Sequence, residues 1–117
     1  MSTTISGTNG VTFPDSTSMQ TGQQACKAWV NFNGTGTVAI RGSYNVSSIT
    51  DRGTGQYTVN MTSALIDTNY SAVASCDQAQ SRVPSAVSLT TSLYGIDTET
   101  SAGAYIDAAS VYSAVFR

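Results

Sequence analysis

Residues 56–62 read QYTVNMT, and the stretch alternates strictly, with Tyr57, Val59 and Met61 on one side and Thr58 and Asn60 on the other. A side-chain period of two is that of a β-strand with one face buried. Immediately upstream, Asp51-Arg52-Gly53-Thr54-Gly55 is a hairpin turn, because glycine takes positive φ at little cost.

The same alternation continues in both directions. Upstream, Tyr44 to Thr50 is extended, with Tyr44, Val46 and Ile49 as its apolar contacts. Thr37 to Ser43 sets Val38 and Ile40 against Arg41, and Ala25 to Phe32 sets Ala28, Val30 and Phe32 against Lys27, Trp29 and Asn31. Asn33-Gly34-Thr35-Gly36 turns between them. Downstream, Asp67-Thr68-Asn69 turns into Tyr70 to Cys76, and Asp77 to Ser85, which carries Pro84, reads as a loop. Ala86 to Ile96 reads as one strand, Asp97 to Gly103 as a polar loop, and Ala104 to Arg117 as the closing segment. About six strands spaced by turn clusters predict an all-β chain, an antiparallel β-sandwich, over residues 25–117.

Composition agrees with the pattern. Ser and Thr supply 34 of the 117 residues, and charged residues only 10 %, with Lys27 and Glu99 the sole members of their types. Helix surfaces draw on Glu, Lys, Arg and Gln, so this is strand-and-turn chemistry and no helix is expected. Residues 1–24 have few apolar side chains, too irregular for one face, and read as an extended leader or stalk. Val11, Phe13 and Met19 would be buried there if neighbouring chains wrapped together.

Several function classes are disfavoured. A net charge of −2 with arginines scattered at 41, 52, 82 and 117 does not suit nucleic acid. No apolar run approaches the roughly 18 residues of a membrane span, and MSTTISGTNG has no signal-peptide pattern. With no histidine, Ser-His-Asp and Cys-His catalysis are ruled out and the usual zinc sites disfavoured. Asp97 and Glu99 are the best carboxylate pair on offer, yet an Asp in a polar loop reads first as a turn residue. No enzyme, metal or cofactor is therefore expected. The four N-x-Ser/Thr sequons, at Asn33, Asn45, Asn60 and Asn69, follow from the abundance of Ser and Thr. Cys26 and Cys76 both lie on apolar phases, as two buried thiols or as a disulfide between strands that meet in the core.

Two blocks carry a family resemblance. ACKAWVNFNGTGTVAIRGSYNVSSITDRGTGQYTVNMTSALIDTNY, residues 25–70, resembles a module near the C-termini of bacteriophage tail-fibre and related virion proteins. SGTNGVTFPDSTSMQTG, residues 6–22, is similar to a leader found upstream of it, with Ser16 where that leader usually has Gly. The resemblance implies a homotrimeric knob in the virion, made in the cytoplasm of a bacterial host, contacting other virion proteins and a host-surface glycan or other receptor. It supplies no known binding residues. Tyr94, Asp97 and Glu99 are the candidate ligand contacts, on the expectation that loops 33–36, 63–68 and 97–103 share the end far from the leader. Trp29, on the phase opposite the core, would stack on a sugar or, with Val11 and Phe13, seal a subunit interface. The competing readings are a purely structural trimerisation or capsid-decorating knob, and a polysaccharide hydrolase.

Overall fold

The computed structural model describes residues 3–8, 10–19, 25–77 and 83–117. The fold is all-β: three antiparallel sheets, with no helix among the described residues. A small sheet holds β1 (Thr4–Ser6), β2 (Gly10–Thr12) and β3 (Ser18–Met19) in the order β1-β2-β3. The leader region thus carries short strands, with Val11 paired to both Ile5 and Met19.

The other eight strands are β4 (Cys26–Asn33), β5 (Ala39–Tyr44), β6 (Val46–Gly53), β7 (Gln56–Met61), β8 (Ser71–Cys76), β9 (Val83–Ser88), β10 (Leu93–Glu99) and β11 (Val111–Phe116). They form two four-stranded sheets, β5-β4-β11-β8 and β6-β7-β10-β9. One core joins their inner faces: Ala28, Val30, Phe32, Val111 and Val115 from the first meet Tyr57, Val59, Met61, Tyr94 and Ile96 from the second. Fully burying a side chain of this size stabilises by about 1.5–3 kcal/mol, so this shared interior is the main source of order. Phe32 and Tyr57 meet edge to face across it, ring centroids 5.1 Å apart.

Two of these strands come from the segment expected to be one. Ala86 to Ile96 is broken at Leu89–Ser92, where the Ser92 amide donates to Thr90 Oγ1 (3.2 Å) and the Thr90 amide donates to the Leu93 carbonyl (3.0 Å). The local hydroxyl satisfies the backbone and lets the chain reverse. Pro84, expected in a loop, sits in β9 instead, and β9 is an edge strand, where a missing amide donor is tolerated. The stretch from Asp97, expected as a loop, extends β10 to Glu99.

The passage between sheets at Asn45 is a left-handed corner (φ 54°) held by its own side chain. Asn45 Nδ2 donates to the carbonyls of Lys27 and Ser63 (both 3.1 Å), and Oδ1 accepts the Ser63 amide at 2.7 Å. Asparagine tolerates this conformation better than other residues that carry a Cβ.

Cys26 lies opposite Phe116 and Cys76 opposite Val111, on either side of β11. Five residues of strand place them roughly 17 Å apart along the sheet. The limit for a disulfide is near 7 Å between Cα atoms, so the two thiols do not bridge one another.

Candidate functional site

Strand parity sorts the anticipated ligand contacts onto opposite faces. In β10, Tyr94, Ile96 and Thr98 point inward and are fully buried, while Asp97 and Glu99 face out. Tyr94 cannot meet a ligand. Its hydroxyl crosses the core to Ser113 Oγ at 2.9 Å; Ser113 gives its one proton to the Val73 carbonyl, so Tyr94 is the donor. Burial pushes the Tyr94 hydroxyl up to about 12. Asp97 accepts Arg52 Nη2 at 2.9 Å, and Glu99 forms a backbone bridge with Tyr105.

The loop grouping is also corrected. Loop 33–36 and the segment after Glu99 do share an end: the Gly34 amide donates to the Ala108 carbonyl, and Tyr57 Oη–H is shared between Gly34 O (3.0 Å) and Asp107 Oδ1 (3.2 Å). Segment 63–68 is at the opposite end, where the Leu65 amide donates to the Thr91 carbonyl and the Ser63 amide to Asn45. β7 begins at one end and finishes at the other, so the segment after Met61 lies where β4 begins.

The outer face of β6-β7-β10-β9 bonds largely within itself. Asn60 Nδ2 donates to Ser48 Oγ (3.1 Å) and Thr50 Oγ1 (2.9 Å). Arg52 lies flat over Gly95, which leaves room for its guanidinium, and donates to the Tyr57 carbonyl and Asp97.

The outer face of β5-β4-β11-β8 is different. Reading across the strands, one row runs Tyr44–Trp29–Ala114–Val73 and the next Gly42–Asn31–Tyr112–Ser75. Trp29 (43 %), Tyr44 (57 %), Val73 (56 %), Tyr112 (42 %) and Phe116 (41 %) are all exposed. Large apolar side chains grouped on one surface, left exposed among the described residues, mark an interaction site. The Trp29 ring lies against Gly42, its Cη2 and Cζ3 at 3.5 Å from where a Cβ would stand. Ala114 is the small residue between Trp29 and Val73, and the dip above it is a shallow groove of about 410 Å³ edged by Tyr112, Asn31 and Ser75. Beyond Tyr44 a second depression of about 440 Å³ is lined by Lys27, Asn45, Thr62 and Ser63.

Trp29 is thus in the candidate surface; Val11 stands in β2 of the small sheet and Phe13 in the turn after it, and neither lines the groove. Tyr44, Val73 and Tyr112 were missed as partners of Trp29. The alternation of SVYSAVFR does put Tyr112, Ala114 and Phe116 on one face, but only the β4–β11 pairing brings that face beside Trp29.

Chemically the groove offers ring faces, an amide and hydroxyls, and its lining holds no carboxylate. It is a surface that binds by stacking and neutral hydrogen bonds. Among the described residues no cluster of His, Cys, Asp and Glu converges as metal ligands would, and no helix is long and apolar enough to cross a membrane. No family model, no curated protein and no solved structure matches the chain.

Proposed function

We propose that this chain is an attachment domain of a bacteriophage fibre or spike, an antiparallel sandwich that assembles as a homotrimer and holds a host-surface glycan on the Trp29 face. The observation that carries the reading is the exposed row Tyr44–Trp29–Ala114–Val73 with Tyr112 beside it. An indole lying flat on the sheet beside a shallow groove presents the platform on which the C–H face of a sugar stacks, and Asn31 and Ser75 stand at the edge to bond hydroxyls. The sequence resemblance of residues 6–22 and 25–70 supports the virion setting and the trimer.

Binding of polysaccharides to the whole chain, read on a glycan array, tests the attachment role. Trp29→Ala should weaken a hit about tenfold or more, the scale of a lost aromatic anchor. A negative result across host polysaccharides favours the second reading, in which the same apolar face is a subunit contact and the domain is purely structural. Light scattering tests assembly directly: a trimer is expected, and a monomer at micromolar concentration removes the fibre reading.

A further inference from the structure

We infer that the ligand of the Trp29 face is a carboxylate-bearing glycan, an acidic polysaccharide read by Arg41 at the rim of the groove. The inference rests on the reading of that face as a glycan platform and adds the chemical class of the sugar.

Charge on the chain is segregated. The strands β4, β5, β8 and β11 contain Lys27 and Arg41 and no acidic residue, in a chain whose net charge is −2. The acids lie elsewhere: Asp51, Asp97 and Glu99 belong to the other sheet, and the remainder to the loops and the leader region. The aromatic face is therefore the cationic side of an acidic domain, and an anionic ligand is drawn to it.

Both cations stand where the ladder slips. Between Asn31↔Gly42 and Phe32↔Ile40, Arg41 is the extra residue of a β-bulge; between Ala28↔Val115 and Cys26↔Phe116, Lys27 is the extra residue of another. A bulge re-aims the side chain it carries. Arg41 turns across β4 and its guanidinium meets only neutral oxygens: Nη1 donates to Asn31 Oδ1 (3.4 Å), the Phe32 carbonyl (3.5 Å) and Ser110 Oγ (3.1 Å), and Nη2 to the Ala109 carbonyl (2.6 Å). No carboxylate among the described residues pairs with it. The acid nearest in the network, Asp77, accepts the Ser110 amide.

These bonds fix the guanidinium and leave its charge uncompensated. Among the described residues they also leave the Nε–H and a second Nη2–H without an acceptor, two charged donors for a carboxylate. Asn31 connects Arg41 to the groove: its Oδ1 accepts from Nη1, it lines the groove, and it lies two residues, roughly 7 Å, along the same face from Trp29. A sugar ring over Trp29 and Ala114 would so place a ring carboxylate toward Arg41.

The test uses Trp29 fluorescence, since it is the only tryptophan. The whole chain is titrated with oligogalacturonate, with its methyl ester, and with dextran sulfate, at low and high salt. The free acid should bind about tenfold more tightly than the ester, with a preference that shrinks as salt screens it. Arg41→Gln should bring acid and ester together, while Arg41→Lys should keep part of the gap. Equal binding of acid and ester by the unaltered chain overturns the inference and leaves the platform reading standing. Dextran sulfate binding as tightly as the uronate also overturns it, as plain polyanion capture. No response to any oligomer overturns the platform reading itself, and this inference with it. The acid–ester comparison needs no variant, so it decides whether or not Arg41→Gln folds.

Discussion

The Tyr57 hydroxyl donates to the Gly34 carbonyl at 3.0 Å, and the same approach leaves no room for a side chain at position 34. A Cβ there would overlap the Tyr57 hydroxyl and stand 2.8 Å from the Ala108 carbonyl. Gly34→Ala should therefore lower stability by about 1–3 kcal/mol, the usual cost of overpacking. Tyr57→Phe alone should cost about 1 kcal/mol through the lost hydrogen bond. The double variant should be less destabilised than the two summed, because the smaller ring relieves part of the overlap. Denaturant unfolding of the four proteins measures this, and strict additivity would show that the contact is not the cause.

Asp67 and Arg117 form a two-point ion pair, Nε to Oδ1 at 2.7 Å and Nη2 to Oδ2 at 2.8 Å, tying the end of the chain to the loop before β8. The Arg117 hydrogen bond, then the Asn69 amide, hold the Asp67 carboxyl down at about 2. A depressed carboxylate contributes stability that is present above its unfolded value near 3.8 and lost as pH falls through about 2. Unfolding midpoints should drop between those pH values, and Asp67→Asn should flatten the drop. An unchanged pH profile in Asp67→Asn would remove this pair from acid stability.

At the alkaline end the sign reverses. Burial raises Tyr57 to about 12, helped by the negative charge of Asp107, and burial likewise raises Tyr94 to about 12. Their contribution is complete below the unfolded value near 10 and is lost as pH rises toward 12. A tyrosinate absorbance titration should show these two ionising only as the fold is lost. Tyr94→Phe should make the decline in stability over that window less steep; an equal slope would refute the assignment.

The positions of Cys26 and Cys76 on either side of β11 predict that oxidation forms no cross-link within the chain. Cys26, half-buried with its Sγ donating to the Ala28 carbonyl, should react with a thiol reagent before the more buried Cys76. Peptide mapping after timed alkylation gives the order.

Asn45 makes three hydrogen bonds from a left-handed backbone. Asn45→Ala should cost about 2–4 kcal/mol, since it loses the bonds and keeps the strain, and Asn45→Gly should cost about 1 kcal/mol less. Thermal melts of the two variants separate the backbone share from the side-chain share; equal losses would mean that the left-handed corner carries no strain.

Where the sequence was legible, the reason was local. Alternation in QYTVNMT and in residues 25–32 set the inward and outward residues of β7 and β4 without any knowledge of partners, because the strand period is intrinsic to the backbone. It failed where a side chain replaced a ladder bond, as Thr90 does, so a turn lay inside an apparently continuous strand. For the ligand contacts, parity was available and decisive: Tyr94 and Asp97 differ by an odd number of residues and cannot share a face.

The sequence by itself determined that the chain is all-β, that its groups are poorly suited to catalysis by histidine, and that Trp29 faces away from Ala28, Val30 and Phe32. Each of these depends on composition or on a period of two. Only the tertiary structure decided which outward faces lie together. β11, last in the chain, enters between β4 and β8, and that non-local pairing sets Tyr112 and Ala114 beside Trp29 and Val73. It also keeps Cys26 from Cys76 and carries the bulge that turns Lys27 out of register, while the bulge at Arg41 belongs to the β4–β5 pairing. Hydrogen bonds between strands far apart in sequence fix these neighbours, and no short-range pattern encodes which strands will pair.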